Sequence, residues 1–141
     1  MPERRARSIY LASRLVAATL LAVSFLPSSL AAESFEPEAI CRAAIATIAG
    51  RDPKAMQVTR IAGDVLFLTY VRPIDNFVWT YRCRIEGNRV VWAYDPGRWR
   101  ESPKDDKVSF EILGDGKQLR ISDDHSDGST TKELFDRDKI F

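Results

Sequence analysis

The sequence predicts an α+β domain, with one N-terminal helix packed on an antiparallel meander sheet of six to seven strands. Three observations support this fold class. Apolar residues recur at helical spacing over residues 37–49, and strand patterns separated by turn signals follow from residue 56 onward. Two cysteines, Cys41 and Cys83, fall one on the helix and one on a strand, so a bond between them would join the two elements.

Residues 1–31 have the features of a signal peptide, which is removed from a mature protein. Four arginines precede residue 15, and Ser29 and Ala31 are small residues placed for cleavage after Ala31. The apolar run over residues 15–26 is shorter than the roughly twenty residues that span a bilayer, although an uncleaved N-terminal anchor is the alternative. We therefore expect residues 32–141 to form a single small domain, periplasmic or secreted, without stable membrane insertion.

The charge of the mature chain argues against nucleic-acid binding. Removing residues 1–31 takes four arginines and one glutamate from totals of 21 basic and 20 acidic residues, which leaves 17 and 19. A nearly neutral domain lacks the basic surface on which nonspecific binding of nucleic acid depends. We therefore expect a protein or an envelope component, and no nucleic acid, as the partner.

The first predicted element is a helix over residues 37–49. Pro37 suits the first helical position, and the acidic Glu36 and Glu38 suit the positive end of the helix dipole. Apolar side chains at positions 40, 41, 44, 45 and 48 form one face, and Gly50 is a natural end. The helix therefore has an apolar face to bury against the sheet.

Seven segments after the helix have strand patterns, with glycine, proline and aspartate turns between them. The last segment has an alternative, because Thr130 and Glu133 could also form a helix capping box. The predicted strands cover residues 56–62, 65–72, 77–85, 89–94, 107–113, 118–123 and 130–135.

Two turns set the register of the strand pairs that they join. A two-residue turn at residues 87–88 pairs residue 86 with 89, 85 with 90 and 81 with 94, and it places Cys83 opposite Trp92. A turn at residues 115–116 pairs residue 112 with 119 and 110 with 121, and it sets Glu111 against Arg120 as a favourable charge pair. These pairings place apolar side chains together on one face of the sheet.

Cys41 and Cys83 are predicted to form a disulfide bond. An even pair of cysteines in an exported chain is typical of a bridge, and two buried free thiols are the alternative. Cys41 lies on the apolar helix face and Cys83 on the aromatic sheet face. The bond would therefore fasten the helix to that face of the sheet.

The sequence carries no motif for catalysis or for a cofactor. It has one histidine, no G-x-S-x-G elbow, no phosphate-binding glycine loop and no dinucleotide fingerprint. We therefore expect a protein that uses no cofactor and is not an enzyme. The alternative is a small hydrolase of envelope material that uses two carboxylates, since 19 acidic residues remain after cleavage.

A weak cation-binding pattern surrounds the single histidine. Asp123, His125, Asp127 and Gly128 resemble the opening of a calcium loop, which needs oxygen ligands at alternate positions. The position that should supply a bidentate glutamate is Leu134, so the pattern fails there. A solvated turn between two strands explains the same residues, and we predict no metal site, with a cation-binding envelope protein as the alternative.

The segment with the strongest binding character is Arg98, Trp99 and Arg100. Tryptophan and arginine are enriched at interface hot spots, and these three follow the Pro-Gly break after the fourth strand. A binding loop would expose Trp99. The alternative is that Trp99 folds back to cover the end of the sheet.

The second binding candidate is the sheet face away from the helix. It carries Phe67, Arg82 and Arg84 among β-branched residues, which suits either a partner surface or a homodimer interface. Strand formers shielded by long arginine stems are the alternative. From both candidates we expect an exported, non-enzymatic binding or accessory domain of the bacterial cell envelope, for which an inhibitor-like function is one option.

Overall fold

A computed structural model describes residues 34–141 of the chain. The predicted signal peptide, residues 1–31, lies outside the described residues. The described part confirms the α+β class, with one helix packed on a seven-stranded antiparallel sheet. Its elements are α1 (Pro37–Ala49), β1 (Met56–Ala62), β2 (Val65–Val71), β3 (Val78–Glu86), β4 (Arg89–Tyr94), β5 (Lys107–Leu113), β6 (Gln118–Asp124) and β7 (Thr130–Asp136).

α1 begins and ends at the residues that the sequence predicts. Pro37 lies in the first turn, and Gly50 takes the left-handed conformation with φ of 63°. The backbone N–H groups of Gly50 and Arg51 donate to the carbonyl oxygens of Thr47 and Ala46. Glycine suits this end because a side chain at positive φ is strained.

The seven strands lie in the sheet in chain order, each antiparallel to its neighbours. The predicted pairs are present: Cys83 is opposite Trp92, and Glu111 is opposite Arg120 with a 3.3 Å ion pair between their side chains. The last segment is a strand and not a capped helix, because β7 pairs with β6 along its whole length. Hydrogen bonds between the two strands satisfy the backbone groups of this segment, so Thr130 and Glu133 lie in a strand and form no helix capping box.

The Cys41–Cys83 disulfide is present, and both residues are 0% exposed. It joins α1 to the side of the sheet called here the inner face; the opposite side is the outer face. The core fills the space between α1 and the inner face, so one face is committed to folding and the other is left uncovered by the helix. Its largest fully buried side chains outside the bridge are Ile45, Met56, Leu68, Val90, Val108, Leu119, Ile121 and Ile140.

The pairing between β4 and β5 is short, which the sequence pattern does not indicate. Two residue pairs, 89 with 109 and 90 with 108, join these strands. Beyond residue 94 the chain returns along β4, and the backbone N–H of Arg100 donates to the carbonyl oxygen of Trp92 at 2.8 Å. This return brings Trp99 against the sheet. Within residues 34–141, no helix combines the length and the apolar character needed to cross a membrane.

Candidate binding surfaces and a carboxylate–histidine cluster

Trp99 is half-buried and stacks with two arginines of the outer face. The guanidinium carbon of Arg82 lies 4.8 Å from the indole centroid, and that of Arg84 lies 4.3 Å from it. In the sheet register Ala93 pairs with Arg82 and Val91 pairs with Arg84, and both partners are 0% exposed. The stack thus covers the outer side of β4. This is the folded-back arrangement named above as the alternative to an exposed loop.

Arg82 and Arg84 also hold the segment that carries Trp99. Arg82 Nη2 donates to the carbonyl oxygen of Gly97. Arg84 Nε donates to Glu86 at 2.8 Å, and its Nη2 donates to Glu101 at 2.6 Å. Two residues predicted to bind a partner therefore act within the domain as anchors for residues 95–101.

The two arginines of the predicted loop, Arg98 and Arg100, both approach Asp105. Both terminal nitrogens of Arg98 donate to its carboxylate, at 2.7 and 2.6 Å. These bonds, aided by the backbone N–H of Ser102, lower the pKa of Asp105 to about 2. Arg100 approaches the same carboxylate at 4.0 Å and lies 5.4 Å from the ring centroid of Trp92, on the inner face. The adjacent residues Trp99 and Arg100 thus pack on opposite faces of the sheet.

Phe67 lies beside this assembly on β2. It pairs with Arg82 across the sheet, and the guanidinium carbon of Arg60 sits 3.7 Å from its ring centroid. Phe67 is half-buried under that guanidinium. The outer face therefore brings Phe67, Arg82, Arg84 and Trp99 together, but both aromatic rings are covered by arginines.

The most exposed apolar surface lies on the connection between β2 and β3. We call Val71, Ile74, Phe77 and Val78 the hairpin tip. Their exposed fractions are 47%, 87%, 51% and 51%, and they are four of the nine large apolar or aromatic side chains that are exposed in the described part of the chain. Several large apolar side chains exposed on one short connection are a candidate contact site.

The hairpin tip is held in one conformation by its own polar residues. Arg72 donates to both carboxylate oxygens of Asp75, at 2.8 and 2.6 Å, and Asp75 accepts from the backbone N–H of Phe77. Asn76 supplies the left-handed residue, with φ of 56°, and its N–H donates to the carbonyl oxygen of Arg72. Pro73 fixes a further backbone angle. These contacts favour one backbone conformation of the tip, and such preorganisation lowers the entropic cost of binding.

Sequence reasoning assigned residues 73–76 to a turn and so missed the hairpin tip. Pro73, Asp75 and Asn76 are ordinary turn residues. The available signal was Ile74, a large β-branched residue between proline and aspartate where a solvated turn carries a polar side chain. Phe77 was placed in the third strand, whereas β3 begins at Val78 and Phe77 is half exposed before it.

An aromatic cavity of about 250 Å³ lies next to the hairpin tip, where α1 ends and no longer covers the inner face. Rings continue into it from the tip, since Phe77 contacts Trp79 at 5.2 Å and Trp79 contacts Tyr94 at 5.9 Å between centroids. Burial raises the pKa of Tyr81, which lines the cavity, to about 12. The cavity therefore places aromatic rings next to the tip, and its walls also include Arg51 and Arg72.

The histidine region forms a cluster that the sequence pattern only half predicts. Asp123 and His125, two residues of the calcium-like pattern that was the alternative to a solvated turn, lie close together, but the third member is Asp106, and the candidate ligand atoms of these three residues lie within 4.8 Å of one another. Asp127 instead accepts hydrogen bonds from the backbone and the hydroxyl of Ser129. Asp106 was missed because it precedes β5 in sequence and approaches the β6–β7 turn only in the folded chain.

Electrostatics within the cluster follow from its contacts. The hydrogen bond between His125 Nδ1 and Asp106 Oδ2, 3.0 Å long, raises the pKa of His125 and lowers that of Asp106. Burial raises the pKa of Asp123, whose side chain is 7% exposed. The expectation of a carboxylate-dependent hydrolase stays a prediction.

Comparison of the chain with known protein families, with curated proteins and with solved structures gives no match in any of the three.

Proposed function

We propose that this protein is an exported, non-enzymatic binding module of the cell envelope that docks a partner protein through its hairpin tip. The observation that carries the proposal is Ile74, which is 87% exposed at the end of a hairpin whose backbone is fixed by the Arg72–Asp75 pair. Exposing a large aliphatic side chain to water is unfavourable in the free protein, and the same side chain suits an apolar pocket on a partner. Fully burying such a side chain contributes about 1.5–3 kcal/mol.

The surroundings of the tip support a protein partner. Val71 and Val78 pair across the hairpin and extend the apolar surface onto the outer face, and Phe77 extends it toward the aromatic cavity. The hairpin tip thus presents exposed apolar side chains beside the polar residues Arg72 and Asp75. An apolar centre with a polar rim is the usual anatomy of a protein interface.

The export signal and the disulfide support the cellular location. A bridge that is fully buried suits an oxidising compartment, and the predicted signal peptide would deliver the chain to one. A partner in the periplasm or outside the cell is therefore the expectation.

The test compares two matched aspartate variants of the exported protein. Ile74→Asp places a charge at the hairpin tip, while Leu134→Asp places one at a side chain on β7 that is 53% exposed and far from the hairpin in the sheet order. Wild-type protein is immobilised, and the partner it retains from the envelope of its own host is identified and quantified. We expect Ile74→Asp to weaken retention of that partner at least about tenfold, which corresponds to about 1.4 kcal/mol, and Leu134→Asp to leave it unchanged.

Two results would contradict this proposal. Equal loss, or no loss, in the two folded variants would remove the hairpin tip as the contact. Sedimentation showing that the pure protein self-associates, and that Ile74→Asp abolishes this, would identify the tip as a homodimer interface in place of a site for another protein.

A further inference from the structure

We propose that Asp106, Asp123 and His125 form a binding site for one divalent metal ion of the zinc class. The site lies apart from the hairpin tip, and the inference is independent of the proposed function. Its residues come from the loop before β5, from β6 and from the turn that follows β6, so the fold brings together three segments of the chain.

The ligand atoms are already grouped. His125 Nδ1 lies 3.0 Å from Asp106 Oδ2 and 3.9 Å from Asp123 Oδ2. The candidate atoms of all three residues fall within 4.8 Å of one another. Nitrogen and oxygen ligands bind zinc at about 2.0–2.2 Å, so atoms around one ion lie about 3–4 Å apart, and small side-chain adjustments would complete the site.

Asp123 provides the second, independent observation. Its side chain is only 7% exposed, and its Oδ1 is buried without a hydrogen-bond partner. It stands on the inner face of the sheet, paired in register with Val108 on one side and with Thr131 on the other. A buried carboxylate that lacks donors is unfavourable, and buried charges in proteins are paired or coordinate a metal. The His125 imidazole approaches this carboxylate at 3.9 Å, between Nδ1 and Asp123 Oδ2.

Contacts outside the cluster orient two of the three ligands. His125 Nε2 lies 2.8 Å from the hydroxyl oxygen of Thr131, to which a protonated Nε2 would donate, leaving Nδ1 to face the carboxylates. The backbone N–H of Ser126 donates to Asp106 Oδ1 at 2.9 Å and leaves Oδ2 directed at the histidine. Metal-binding histidines and carboxylates are commonly held in this way. In the metal-free state a proton on Nδ1 occupies the place that the ion would take.

The ligand set selects the class of metal. An imidazole with two carboxylates suits zinc and neighbouring transition metals, whereas calcium takes six to eight oxygen ligands. Three protein ligands leave a fourth tetrahedral position for water. A cavity of about 240 Å³, which Asp106 and Ser126 help to line, provides space for solvent beside the cluster.

The test is calorimetric titration of the chelator-treated, exported protein with Zn²⁺, with Ca²⁺ as a second titrant. We expect one Zn²⁺ per chain, a higher melting temperature with Zn²⁺, and no comparable response to Ca²⁺. Asp123→Asn and His125→Gln should each weaken Zn²⁺ binding at least about tenfold. The control is Asp127→Asn, which changes an acid of the same turn that lies outside the cluster and should bind like the wild type.

Circular dichroism checks that each variant is folded, and His125→Gln tests the site should Asp123→Asn disturb the sheet. The proposal is overturned if the wild type takes up no Zn²⁺. It is also overturned if both folded ligand variants bind Zn²⁺ with wild-type affinity, which would indicate adventitious surface binding only.

Discussion

Removing the Cys41–Cys83 bridge should lower the free energy of unfolding by about 4 kcal/mol. The two cysteines are 42 positions apart in sequence, and the chain-entropy relation for a loop of that length gives about 4 kcal/mol at 25 °C. Both residues are 0% exposed, so the change to test is the double substitution Cys41→Ala and Cys83→Ala, which avoids placing polar groups in the core. The loss of packing around two small side chains adds to this figure.

The assay is equilibrium unfolding in urea, followed by circular dichroism and by tryptophan fluorescence. A domain of the size of residues 32–141 unfolds with an entropy of about 0.23 kcal/mol/K, so 4 kcal/mol corresponds to roughly 17 °C in melting temperature. The urea slope of the variant should exceed that of the wild type, because an unbridged unfolded chain exposes more surface. Cys41→Val with Cys83→Val fills more of the vacated volume and separates the packing loss from the loss of the cross-link.

A loss below about 1 kcal/mol in both double variants would refute this reasoning, because no loop-closure estimate for this separation is that small. It would mean that α1 is held to the inner face by apolar contacts alone.

Three further perturbations test the packing around the candidate surfaces. Asp105→Asn should destabilise the protein above about pH 4, where the wild-type carboxylate is ionised in both the folded and the unfolded state. Because Arg98 lowers the folded pKa of Asp105 to about 2, the difference in free energy of unfolding between wild type and variant should shrink as the pH falls from 4 toward 2. A difference that does not change with pH in urea titrations would be inconsistent with this. Trp99→Ala should cost about 2 kcal/mol in urea unfolding by uncovering the outer side of β4, and a neutral result would mean that the indole is not part of the cover. The phenolate signal of Tyr81, taken as the difference between the ultraviolet titrations of the wild type and Tyr81→Phe, should appear only near pH 12. A difference that already appears near pH 10 in folded protein would contradict its burial.

Local patterns sufficed to predict most of the fold. The ends of α1 follow from Pro37 and Gly50, and the registers of β3–β4 and β5–β6 follow from their turns, because these features depend on neighbouring residues. The bulge in β1 between Val58 and Arg60 was not predicted, since it changes the pairing with β2 without any glycine to mark it. The return of the chain along β4 was also missed, because a single backbone bond to Trp92 defines it.

The candidate sites depend on contacts distant in sequence, and there prediction was weaker. Trp99 was named in one candidate surface and Arg82 and Arg84 in another, and their stacking on one another could not be foreseen, because 15 or more residues separate the arginines from the tryptophan. Asp106 joins His125 from 19 positions away. Ile74 was hidden by turn residues whose usual role is solvation, although here they fix the backbone that exposes it.

The most direct test of the binding proposal is photo-crosslinking in living cells. A photoreactive amino acid is placed at position 74 in one strain and at position 134 in another, and adducts of the exported protein are resolved by mass. The proposal predicts one discrete adduct with a single envelope protein from position 74 and none from position 134. No adduct at position 74, or the same adducts from both positions, would contradict it.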